Sequence, residues 1–110
     1  MAFTPYHNIT GSTGVDVELM APNEGVGSIN SILITNTHAT ADATVTLFIE
    51  DDPTAAAASI FKILSTVAIP SDTSLLLDDS SVLSFDNSSN GYGLYVTVGS
   101  SDTLDIMINI

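Results

Sequence analysis

Over residues 103–110 the side chains separate into two parities. Leu104, Ile106, Ile108 and Ile110 fall on one, and Thr103, Asp105, Met107 and Asn109 on the other. A period of two is the signature of a half-buried β-strand, because successive side chains point to opposite faces of a sheet. The same period recurs along most of the chain. Val15, Val17 and Leu19 alternate with Asp16, Glu18 and Met20, and Val45, Leu47 and Ile49 oppose Thr44, Thr46 and Glu50. Tyr92, Leu94, Val96 and Val98 form a third clean series. Residues 28–35 are isoleucine-rich and break strict alternation, as a strand buried on both faces or carrying a bulge would. Residues 59–69 resume the strand pattern through Ile60, Phe61, Ile63, Leu64, Val67 and Ile69.

Turn chemistry punctuates these runs. Pro22-Asn23-Glu24-Gly25 and Pro70-Ser71-Asp72-Thr73 combine a fixed proline φ with side chains that bond their own backbone. Short apolar runs at residues 75–77 and 82–85 predict two brief strands, the second leading through Asn90-Gly91, a strong hairpin signal, into the strand that starts near Tyr92. Asp52 followed by Pro53 is a helix-start signal, and Ala55, Ala56, Ala57 and Ala58 are good helix formers, so one or two helical turns, or a loop, are expected near residues 53–58. The sum is about eight strands with no βαβ pattern, which predicts an all-β antiparallel two-sheet sandwich or jelly roll. At 110 residues there is room for one such domain, over residues 15–110. Residues 1–14 carry Phe3, Tyr6 and Ile9 ahead of the Gly11-Ser12-Thr13-Gly14 spacer, and read either as an arm that docks on a neighbour or as an edge strand.

Charge limits the partners. Thirteen Asp and Glu face one base, Lys62, for a formal net charge of −12. Such a surface repels phosphate and argues against nucleic acid or an anionic membrane as partner. It suits solubility in a crowded or saline setting, or docking onto a basic surface. The apolar runs are too short to span a bilayer, and the start of the chain has neither a basic nor an apolar leader segment, so no signal peptide is expected. The sequons at Asn8 and Asn87 are then chance matches.

No catalytic set is legible. Cysteine is absent, which removes thiolate nucleophiles, thiolate metal sites and disulfides. The two histidines, His7 and His38, sit in no recognised signature, and a triad needs a base beside its nucleophile and a third group to orient it. Paired carboxylates suit glycoside hydrolysis, but the chain lacks tryptophan and has a single base to hold a sugar. Calcium is the most plausible ion, since hard cations take carboxylate and carbonyl oxygens. The weak candidates are Asp51, Asp52, Asp78 and Asp79, with Glu50 and Asp86 nearby, but none follows the spacing of a calcium loop. No cofactor is expected.

Three stretches together resemble small structural proteins of tailed bacteriophages, especially those of marine and cyanobacterial hosts. They are Ser28-Ile29-Asn30-Ser31-Ile32-Leu33-Ile34-Thr35-Asn36, then Val67-Ala68-Ile69-Pro70-Ser71-Asp72-Thr73-Ser74-Leu75-Leu76-Leu77-Asp78, and Gly93-Leu94-Tyr95-Val96 with the closing strand. The likeness runs from residue 28 onward and is carried mostly by strand grammar. It implies a virion component made of small β-sandwich subunits in many copies, closest in role to an outer capsid decoration (cement) protein. It also implies a homotrimer or other symmetric homo-oligomer, the major capsid protein as partner, and a place on the capsid surface after synthesis in the host cytoplasm. Phe3, Tyr6 and Ile9 would then form the docking arm. A neck, tail or fibre component of the virion, and a calcium-assisted carbohydrate-binding or adhesion module, are the alternatives.

Overall fold

The structure, a computed structural model, describes residues 4–24, 26, 28–51, 59–88 and 91–110. They form eight strands: β1 (Tyr6–Thr10), β2 (Asp16–Met20), β3 (Ser31–Asn36), β4 (Ala43–Glu50), β5 (Ile60–Ile69), β6 (Ser74–Leu77), β7 (Gly93–Val98) and β8 (Thr103–Asn109). The expected helix near residues 53–58 lies outside the described residues. The strands make two antiparallel four-stranded sheets, ordered β1-β8-β3-β6 and β2-β7-β4-β5.

That order has a simple origin. The chain is one long hairpin, folded back between β4 and β5, whose two arms pair along their length as β4 with β5, β3 with β6, β2 with β7 and β1 with β8. Rolling this ribbon brings β3 against β8 and β4 against β7, so alternate pairs fall in opposite sheets. The result is an eight-stranded jelly roll, as the strand count and alternation predict.

The core is the set of inward parities. Ile32 and Ile34 of β3, Val45 and Leu47 of β4, Leu94, Val96 and Val98 of β7, and Leu104, Ile106 and Ile108 of β8 are all buried between the sheets. The irregular stretch at residues 28–35 resolves into Ile29, Ile32 and Ile34 facing in while Leu33 faces out. In β5 the register slips opposite Thr46, leaving Ser65 and Thr66 as a bulge, with Thr66 at φ 50° and its N–H donated to the Thr46 hydroxyl. This extra length is why Leu64 and Val67 both pack on the core though three residues apart.

Two sequence expectations are corrected. Residues 82–85 form no strand: the Val82 and Leu83 N–H groups both donate to the Asp79 carbonyl in a turn, and Leu83 plugs the core. The hairpin into β7 is therefore absent, since β7 pairs with β2 and β4 instead. Asn90 lies outside the described residues, and Gly91 packs so closely on the Asp86 carbonyl that a side chain there would collide with it. The place of that expected strand is taken by β1 at the other end of the chain. Its residues 6–10 hydrogen-bond to β8 as an edge strand. The following Gly11 is no slack spacer. It is buried, donates its N–H to the Asp102 carbonyl and accepts from the Ser101 N–H, which ties β1 to the turn between β7 and β8.

Two buried asparagines lock the loops. Asn36 Nδ2 donates to the Ala41 and Ile69 carbonyls, both at 2.9 Å, while its Oδ1 accepts the His38 N–H. At the opposite end of the barrel Asn87 Nδ2 donates to the Ala21 and Tyr92 carbonyls, and its Oδ1 accepts the Val26 N–H. Each uses both amide N–H groups and its oxygen to satisfy backbone groups that would otherwise lie unpaired. The sequon at Asn87 is thus occupied by structural bonds.

Candidate docking face

Outward parities of the β1-β8-β3-β6 sheet carry short polar side chains except along one row. Tyr6 stands opposite Met107, Met107 opposite Leu33, and Leu33 opposite Leu76. These four residues come from four strands and form a single apolar row straight across the sheet. Tyr6 is 69% exposed, Leu76 54% and Met107 46%, with Leu33 half-buried between its neighbours. Exposed Val82 extends the row beyond β6, where it borders a shallow depression of about 190 Å³ with Leu76, Leu77, Asp78 and Asp79.

The row next to it is polar and internally bonded. Asn8 Nδ2 donates to Asp105 Oδ1 at 2.7 Å, and the Thr35 and Ser74 hydroxyls are 2.8 Å apart. On the other side lie Ser31 and Asn109. Asp105 is the only ionisable carboxylate at an outward position of the four strands, and the Asn8 amide already engages it. The face is therefore nearly uncharged on a chain whose net charge is −12.

The outer face of the β2-β7-β4-β5 sheet is built differently. Its corresponding row runs Glu18, Tyr95, Phe48, Lys62. The Phe48 and Tyr95 rings stack with centroids 5.9 Å apart, and both are buried despite facing outward. Asp16 accepts from the Thr97 hydroxyl at 2.8 Å beside a depression of about 280 Å³ that Thr46, Phe48, Ile60 and Lys62 also line. Charge is thus concentrated on this face and on the loops. Lys62 also sits on β5, a ten-residue strand at a sheet edge, where a lysine and a bulge hinder edge-to-edge pairing with another chain.

The residues singled out from the sequence scatter. Tyr6 joins the apolar row, but Ile9 is 6% exposed and packs in the core, so it offers nothing to a partner. The reason is parity: Tyr6 and Ile9 are three apart on a strand and point to opposite faces. Phe3 and Asp52 lie outside the described residues. Asp51 Oδ1 accepts the Ser59 N–H at 2.8 Å. Asp79 Oδ1 accepts both the hydroxyl and N–H of Ser81, bonds that hold its carboxyl below the ordinary value of 3.8, and the Ser88 hydroxyl and N–H do the same for Asp86. Asp78 is exposed next to them. Among the described residues no three His, Asp or Glu side chains converge to hold a metal ion. His7 Nε2 lies 2.9 Å from the Thr4 carbonyl, and His38 Nδ1 accepts the Thr40 and Ala41 N–H groups, so each imidazole caps local backbone.

Leu33, Leu76 and Met107 escaped sequence reasoning. The available signal was an apolar residue on the otherwise polar parity of each of three separate strands. Only the register places them in one line. Among the described residues no helix is long and apolar enough to cross a membrane. No family model, curated protein or solved structure matches the chain.

Proposed function

We propose that this chain is a non-enzymatic structural protein of a tailed-phage particle, acting as an outer capsid decoration protein that braces the shell as a symmetric homo-oligomer. The observation that carries the reading is the uncharged apolar row across one outer sheet face of an otherwise strongly acidic jelly roll. A contiguous exposed apolar row is where a protein contact would form. The resemblance of residues 28–36, 67–78 and 93–96 to small phage structural proteins supplies the setting.

The test is quantitative mass spectrometry of purified particles together with binding of the recombinant chain to particles stripped of it. Decoration requires a copy number that scales with the major capsid protein, in the hundreds, and saturable rebinding. Six or twelve copies would place the chain in the neck or tail instead. Absence from particles would overturn the reading altogether.

A further inference from the structure

We infer that the outer face of the β1-β8-β3-β6 sheet is a self-association surface, on which a second copy of this chain docks about a two-fold axis. The inference rests on the homo-oligomeric part of the proposed function and names the surface responsible.

Symmetry comes first. The row Tyr6, Met107, Leu33, Leu76 is straight, with one side chain per strand. A two-fold axis lying in the interface parallel to the strands sets Tyr6 of one copy over Leu76 of the other, and Met107 over Leu33. A tyrosine or methionine then meets a leucine at every position, each copy offering the other the same contacts, as an isologous pairing requires. The polar rows on either side, Asn8, Asp105, Thr35 and Ser74 on one and Ser31 and Asn109 on the other, form the hydrated rim such a contact has.

Charge then selects the occupant. Two copies at −12 each repel, and the repulsion is least where the approaching surfaces carry least charge. The strands of this face present Asp105 alone, hydrogen-bonded by the Asn8 amide, with Asp78 and Asp79 beyond the end of β6, whereas the opposite outer face presents Asp16, Glu18 and Lys62. A basic partner would be drawn to the acidic face and loops; an identical acidic copy is best received here.

The area suits a weak pair. Four strands at about 4.8 Å spacing, with five to six residues each on average at about 3.3 Å, give a plan area of roughly 350–400 Å² per copy. Two copies then cover on the order of 800 Å², in the range of weak, transient pairs. A weak, reversible dimer follows, and because salt screens the residual repulsion it tightens as ionic strength rises.

The experiment is sedimentation equilibrium of the full chain at low and physiological ionic strength, on the wild type and on Met107→Lys, Leu76→Lys and Ala68→Lys. Each variant adds one lysine at an exposed strand position, but Ala68 lies on the opposite sheet. The expected result is a wild-type dimer that tightens with salt, at least tenfold weaker association for Met107→Lys and Leu76→Lys, and no loss for Ala68→Lys. Circular dichroism and thermal unfolding show whether the variants stay folded, and Met107→Ser, which adds no charge, gives the same ranking should a lysine variant unfold. A wild type that is monomeric at every salt concentration overturns the inference, as does a folded Met107→Lys or Met107→Ser that dimerises normally. The virion reading fails separately: a dimeric chain absent from particles overturns that reading and leaves this interface standing, while a monomer present in hundreds of copies per particle does the reverse.

Discussion

Replacing Asn36 by alanine should destabilise the protein by about 3 kcal/mol. The side chain is 1% exposed and stands at the inward end of β3, where it holds three backbone groups from two other segments. Its loss strips a donor from the Ile69 carbonyl in the buried interior, at a cost of about 1–3 kcal/mol, and removes the half-buried bonds to Ala41 and His38, worth about 1 kcal/mol each before water replaces them. With a urea m-value of about 2 kcal/mol/M, the midpoint should fall by roughly 1.5 M with m unchanged. Asn36→Asp is the informative control. It retains an acceptor for the His38 N–H but turns a carboxylate oxygen towards two carbonyls in a buried site, so it should be at least as damaging as alanine. Equilibrium urea unfolding followed by far-ultraviolet circular dichroism reads both. A loss below about 1 kcal/mol for Asn36→Ala would refute the reasoning, because three engaged backbone groups could not then depend on this amide.

Other substitutions address the joints between sheets. A side chain at Gly11 would strike the Gly99 carbonyl and come within 2.6 Å of the Val98 oxygen, both main-chain atoms, so Gly11→Ala should cost about 3 kcal/mol by chemical denaturation. A near-neutral result would show that the junction after β1 is loose. Thr66 is β-branched yet held at φ 50°, and its bond to Thr46 uses only its N–H. Thr66→Asn should therefore raise the melting temperature by about 4 °C through relief of about 1 kcal/mol of strain, whereas a lowered melting temperature would mean the side chain contributes more than it strains. Hydrogen bonds from Ser81 and Ser88 depress the Asp79 and Asp86 carboxyls, so their contribution to holding the turns at 79–81 and 86–88 is complete above pH 3.8 and is lost as pH falls through the lower folded values. Carbon-13 carboxyl titration should give midpoints below 3.8 for both, and midpoints at or above it would contradict the hydrogen-bonded geometry.

The strands themselves were legible because alternation is a local property. In β4, β7 and β8 the inward aliphatics are regular enough for parity to show in the sequence alone, whereas bulges in β2 and β5 and the broken alternation of β3 hide it. The errors arose where local rules compete with distant partners. The apolar run at residues 82–85 satisfied strand grammar, but the neighbouring Asp79 carbonyl captured the Val82 and Leu83 amides. Conversely β1 has one buried aliphatic, Ile9, and exists because β8 offers it an edge. A five-residue strand with so weak a pattern is decided by its partner.

What the sequence determined by itself was therefore the parity of the regular strands, that the chain is all-β, and that its surface is acidic. What only the tertiary structure decided was alignment across strands. Whether Tyr6, Met107, Leu33 and Leu76 stand in one row or are dispersed depends on register, and a slip of one residue in any strand would turn its member of the row inward. Register is set by burying Ile9, Leu104, Ile106, Ile32, Ile34, Leu75 and Leu77 together, an interaction among residues up to about a hundred positions apart along the chain. The docking face is a by-product of that inner packing, which is why it could be seen only once the sheets were closed.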